Sequence, residues 1–63
     1  MLTVKIDTQN AAFEGPAFGA EVARILQIAA QIADVEIDER TQYKRKLYDS
    51  NGNAVGTLTN TIP

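Results

Sequence analysis

The sequence predicts an α+β fold: two layers in the order β-α-β-β, with one helix packed on a three-stranded sheet that ends in a C-terminal hairpin. Three observations carry this. Apolar and polar residues alternate from Leu2, which is the period of a half-buried strand. An apolar stripe of helical period runs from Val22 to Ala33. Asp49-Ser50-Asn51-Gly52 separates two β-prone segments and reads as a hairpin turn. At 63 residues the chain holds one small domain, 1–63, because two cores do not fit in this length; residues 60–63 read as a frayed tail.

The first strand spans Leu2 to Asp7, with Leu2, Val4 and Ile6 on one face and Thr3, Lys5 and Asp7 on the other. Thr8 to Gly19 reads as an irregular loop, since Pro16 biases Gly15 away from helix. Its two aromatics, Phe13 and Phe18, are expected to fold back over the helix or a core edge. The helix begins between Pro16 and Ala20 and ends at Ala33 or Asp34. Val22, Ile25, Leu26, Ala29, Ile32 and Ala33 form its apolar stripe, and Glu21, Arg24, Gln27, Gln31 and Asp34 occupy the other side. Ile28 widens the apolar sector beyond what one small sheet needs. Val35 to Tyr48 starts as a connection, acidic at Glu36, Asp38 and Glu39, and becomes a basic strand. The third strand is Ala54 to Thr59.

Two registers compete at the hairpin. A type I turn closed by a glycine bulge sets Val55 beside Leu47. A two-residue Asn51-Gly52 turn sets Leu58 across from Arg45, on the Leu47 face. In both, Lys44, Lys46 and Tyr48 lie opposite Tyr43 and Leu47.

Composition removes several function classes. The chain has no Cys, His or Trp, which excludes disulfides, Cys- or His-based zinc sites, and Cys or His catalysis. Ser50 is the only serine and sits in a turn, so no serine triad forms. Glu14-Gly15-Pro16-Ala17-Phe18-Gly19 is not a phosphate loop. Asp49-Ser50-Asn51-Gly52-Asn53 resembles the start of a calcium loop, but the twelfth position is Asn60 where a bidentate Glu is needed. Asp34, Glu36, Asp38 and Glu39 read as solvated surface. The expectation is therefore no catalytic residue, no metal, no cofactor and no small-molecule substrate. No apolar run reaches the ~20 residues of a membrane span, and Met1 to Asp7 lacks the apolar core of a signal peptide.

Two surfaces remain as candidates. The first is the surplus apolar helix flank with its neighbouring loop: Phe13, Phe18, Arg24 and Ile28 form a protein-binding set. The partner is another protein or a second copy of the chain. The alternative is weak single-stranded nucleic-acid binding through the basic stretch 40–48. It uses Lys5, Lys44 and Lys46 for phosphates and Tyr43 and Tyr48 for stacking. The net charge of −2 weighs against strong non-specific binding of this kind.

Three segments carry a family likeness: Ile6-Asp7-Thr8-Gln9-Asn10-Ala11-Ala12-Phe13-Glu14, Ala20-Glu21-Val22-Ala23-Arg24-Ile25-Leu26, and Tyr48-Asp49-Ser50-Asn51-Gly52-Asn53-Ala54-Val55-Gly56. Together they resemble very short open reading frames of tailed bacteriophages and prophages. The chain departs from that group between Ala33 and Leu47, at the acidic-then-basic stretch. The resemblance implies a cytoplasmic location in an infected or lysogenic bacterium. It names no activity; since such proteins often act by binding and blocking a host protein, it favours a binding role, and with no acid/base pair, nucleophile or cofactor loop in the sequence the expectation is a non-enzymatic accessory protein that binds and modulates a host or phage protein.

Overall fold

The computed structural model describes residues 1–63. Strand β1 (Leu2–Ile6) is followed by a single 3-10 turn (Ala11–Phe13), helix α1 (Ala17–Glu36), and strands β2 (Tyr43–Tyr48) and β3 (Ala54–Asn60). The sheet order is β1-β3-β2, with both pairings antiparallel. β1 and β2 therefore run parallel to one another, and β3 lies between them. This is the α+β arrangement the sequence predicts, with one helix packed on a three-stranded sheet.

The core is small. Phe13, Ile25, Ala29, Ile32, Leu47, Val55 and Leu58 are buried against one another, and Ile6, Ala12, Val22, Ile37 and Tyr43 pack around them. On α1 the buried positions are Glu21, Ile25, Ala29 and Ile32, one row at i, i+4, i+8 and i+11. The row is narrower than the apolar stripe in the sequence. Leu26 and Ile28 flank it and stay exposed, because the sheet covers one helix row and no more. Glu21, expected on the polar side, lies within the buried row.

The helix runs past Asp34 to Glu36. Its last turn is held from outside: Arg45 Nη1 donates to Glu36 Oε2 at 2.9 Å, and the Tyr43 hydroxyl donates to Glu36 Oε1 at 3.4 Å. Val35, expected to begin the connection, thus remains helical with its side chain in solvent. Asp38 then closes the connection as an Asx turn, accepting from the Arg40 amide at 2.8 Å and the Thr41 hydroxyl at 2.8 Å.

The hairpin resolves the two registers in an unexpected way. The Gly52 amide donates to the Asp49 carbonyl at 3.1 Å, the Asp49 amide donates to the Asn53 carbonyl at 2.9 Å, and Gly52 has φ +85°. That is the type I turn closed by a glycine. Yet Arg45 pairs with Leu58, as in the competing register. A second irregularity reconciles them. Leu47 opposes Gly56 while Tyr48 opposes Ala54, so Val55 is an extra residue on β3. The bulge turns Val55 inward, and both Val55 and Leu58 are buried beside Leu47.

Gly56 serves a different purpose. A Cβ there would overlap the Lys5 carbonyl oxygen, with the Lys5 carbonyl carbon at 2.9 Å and Ile6 Cα at 3.1 Å. Only glycine lets β1 approach β3 this closely. The chain end, expected to fray from residue 60, is tied down instead. Asn60 completes β3, the Thr61 amide donates to the Met1 carbonyl at 2.9 Å, and the Ile62 amide donates to the Gln42 side chain at 3.1 Å.

Candidate functional site

The four residues of the expected protein-binding set do not form one surface. Phe13 is 3% exposed and belongs to the core, so it offers nothing to a partner. Its burial follows from the 3-10 turn, which folds the ring under the start of α1. Phe18 stacks edge-on against it, with centroids 6.5 Å apart, and remains 48% exposed at the helix start. Arg24 and Ile28 sit further along α1, on the flank that faces β2.

That flank borders a cleft. A cavity of about 170 Å³ lies between α1 and β2. Ile25, Ile28, Ile32 and Leu47 supply its apolar walls, and Arg24, Arg45, Lys46, Tyr48 and Asp49 complete its lining. Its volume is that of an apolar pocket able to take a benzene-sized group. Ile28 is 40% exposed. Sequence reasoning does not single out Leu47 as a binding residue, and it takes Arg45 only as part of the basic stretch 40–48. Their signal was available: Tyr43, Arg45 and Leu47 alternate onto the helix-facing side of β2, and Glu36 at the helix end supplies a counter-charge for Arg45.

One end of the cleft is fixed by a polar network. Arg24 donates from Nε to Glu21 Oε1 at 3.1 Å and from Nη2 to Glu21 Oε2 at 3.0 Å, a two-pronged pair. Arg24 Nη2 also donates to the Tyr48 carbonyl at 3.1 Å. The Ser50 amide donates to Glu21 Oε2 at 2.6 Å. Beside it, Asp49 accepts from the Asn51 and Asn53 amides at 2.9 and 2.8 Å and from the Asn10 side-chain amide at 3.1 Å. Helix start, loop and hairpin turn are thereby pinned together. Three segments distant in sequence meet here, through Asn10, Glu21 with Arg24, and Asp49 with Ser50.

The electrostatics follow from these bonds. The hydrogen bond from Arg24 holds the Glu21 carboxyl below its ordinary value, against the opposing effect of burial. The Asn10 amide, with the Asn53 and Asn51 backbone amides, does the same for Asp49. Arg24 is correspondingly raised by Glu21. Every buried side-chain nitrogen and oxygen has a partner. Both carboxylates are thus committed to internal donors, and this is architecture for a turn. No group of three or more acidic residues comes together in the fold.

The opposite sheet face carries the second candidate set. Lys5, Thr57 and Lys46 form one row across the three strands, and Thr3, Thr59 and Lys44 form the next. Tyr48, 51% exposed, shares that face by alternation. Tyr43 is on the helix-facing side and is bonded to Glu36, so the structure separates it from the other four. The chain has two salt bridges, Arg24–Glu21 and Arg45–Glu36, which leaves Lys5, Lys44 and Lys46 without an acidic partner. No helix is long and apolar enough to cross a membrane. No protein family model, curated protein or solved structure matches the chain.

Proposed function

We propose that this chain is a non-enzymatic protein-binding module and that the α1–β2 cleft is its binding site. The observation that supports this is the cleft itself: an apolar-walled cavity of benzene size, open beside an exposed Ile28, with the Arg24–Glu21 and Arg45–Glu36 ion pairs beside it. An aliphatic or aromatic side chain seated in a well-packed, desolvated pocket is the anchor pattern of protein interfaces. The partner is a host or phage protein in the cytoplasm of an infected or lysogenic bacterium, in keeping with the family likeness. The test is selection of a displayed peptide library on the wild-type protein and on Ile28→Glu. Ile28 is exposed, so the variant keeps its far-UV circular dichroism. Sequences retained by the wild type and lost by Ile28→Glu support the cleft. Equal retention by both, or loss of the folded spectrum, refutes it.

A second reading rests on the basic sheet face. Lys5, Lys44 and Lys46 have no ion pair and stand near the exposed Tyr48, which suits weak binding of single-stranded nucleic acid. Its support is thinner, because stacking needs successive rings and this face has one. It requires a log–log salt slope of about −0.7 per phosphate neutralised.

A further inference from the structure

The cleft lies beside an open strand edge. β2 pairs with β3 on one side and with nothing on the other. The Asp49 amide points to β3, where it meets the Asn53 carbonyl. Backbone groups alternate sides along a strand, so Leu47 and Arg45 also turn theirs toward β3. The amides and carbonyls of Lys44 and Lys46 therefore line the outer edge. The Tyr48 carbonyl confirms the parity: it faces outward and is taken by Arg24. An unpaired row of this kind is a template for an added strand.

We infer that the partner segment adds to the outer edge of β2 as an extended strand of alternating acidic and apolar residues. This deepens the cleft reading and rests on it. The alternation follows from the pleat. Side chains on one side of the added strand point toward α1 and enter the space walled by Ile28, Ile32 and Leu47. Those on the other side join the open sheet face beside Lys44 and Lys46, which have no acidic partner in the chain. Charge complementarity selects the occupant. Carboxylates opposite these lysines are favourable, and cations are not. A second copy pairing β2 to β2 would bring Lys44, Arg45 and Lys46 against the same three residues, so the edge rejects itself. The lysines thus guard the edge against its own kind and admit an acidic strand.

The test uses synthetic peptides and the full chain, read by fluorescence anisotropy. Glu-Val-Glu-Leu-Glu-Val is expected to bind saturably, and a scrambled peptide of the same composition without alternation about tenfold more weakly or worse. N-methylation of one alternate set of peptide amides abolishes binding, and methylation of the other set leaves it, since only one set faces β2. Lys44→Glu with Lys46→Glu loses the acidic peptide and gains Lys-Val-Lys-Leu-Lys-Val, which also shows that the variant is folded. Equal tolerance of both N-methyl sets, tighter binding of oligo-dT than of the peptide, or a β2-mediated dimer would each overturn strand addition. Selected sequences that need Ile28 but ignore the lysine reversal also overturn it while leaving the cleft reading intact. Absence of any Ile28-dependent binder overturns the cleft itself.

Discussion

The same chemical change, glycine to alanine, is expected to have opposite effects at two positions. At Gly56 the added methyl would overlap the Lys5 carbonyl oxygen and press on Ile6 Cα, so its neighbours are backbone and cannot rotate away. Adding a methylene to a tight site costs about 1–3 kcal/mol where side chains can adjust. Here relief requires β1 to move off β3, which breaks the Ile6–Gly56 register. The cost is therefore at or above the top of that range, about 3 kcal/mol. At Gly19, the third residue of α1, nothing lies within 4 Å of the new methyl. Alanine there stabilises by about 0.5–1 kcal/mol, because it restricts the unfolded chain and suits the helix.

A domain of this length has a total stability of about 3–9 kcal/mol. Gly56→Ala therefore consumes a third or more of it, and Gly19→Ala adds a visible increment. The assay is urea unfolding followed by far-UV circular dichroism, comparing midpoints at constant slope. The two sites share no contacts, so the double variant is expected to fall within about 0.5 kcal/mol of the sum. A Gly56→Ala midpoint within about 0.5 kcal/mol of wild type would refute the close β1–β3 approach and the register built on it.

The remaining predictions concern the network, the core and the helix end. Glu21 and Asp49 are both held below their ordinary values of 4.5 and 3.8, so their contribution is complete above about pH 4.5 and is lost as pH falls through the lower folded values. Urea midpoints measured at falling pH should stay flat to that point and then drop, and Asp49→Asn should flatten part of the drop. Arg24→Met should destabilise far more than Arg45→Met, because the first strands a buried carboxylate and the second breaks an exposed pair; comparing the two midpoints checks this. Leu58→Ala empties the centre of the core, at 1% exposure, and should cost about 2–5 kcal/mol; one-dimensional proton spectra should show loss of dispersed methyl signals.

Much of the fold was legible in the residues. Period-2 and period-3.6 patterns located three strands and one helix because each element has one buried face. What remained hidden was long-range. The order β1-β3-β2 depends on which edge of the hairpin β1 joins, and no local pattern encodes that; its trace is Gly56, which is needed only because β1 lies against it. Val55 and Leu58 presented an either/or choice only under the assumption of a regular ladder, and a bulge satisfies both. Glu21 was assigned to the polar side by its charge. Its burial depends on Arg24 three residues on and on the Ser50 amide twenty-nine residues away, and only the first is a local signal. Phe13 illustrates the same limit. Its apolar character was evident, but whether a loop ring fills the core or faces solvent is decided by the turn beneath it.

The polar network and the cleft adjoin each other along β2. Glu21, Arg24 and Asp49 fix the helix start against the hairpin turn, and by taking the Tyr48 carbonyl Arg24 also pins one end of β2. The other end is fixed by Arg45 and Tyr43 on Glu36. Lys44 and Lys46 turn their backbone groups to the unpaired side along the strand these bonds hold. An edge strand held at both ends loses little freedom when a partner pairs with it, which lowers the ordering cost of binding.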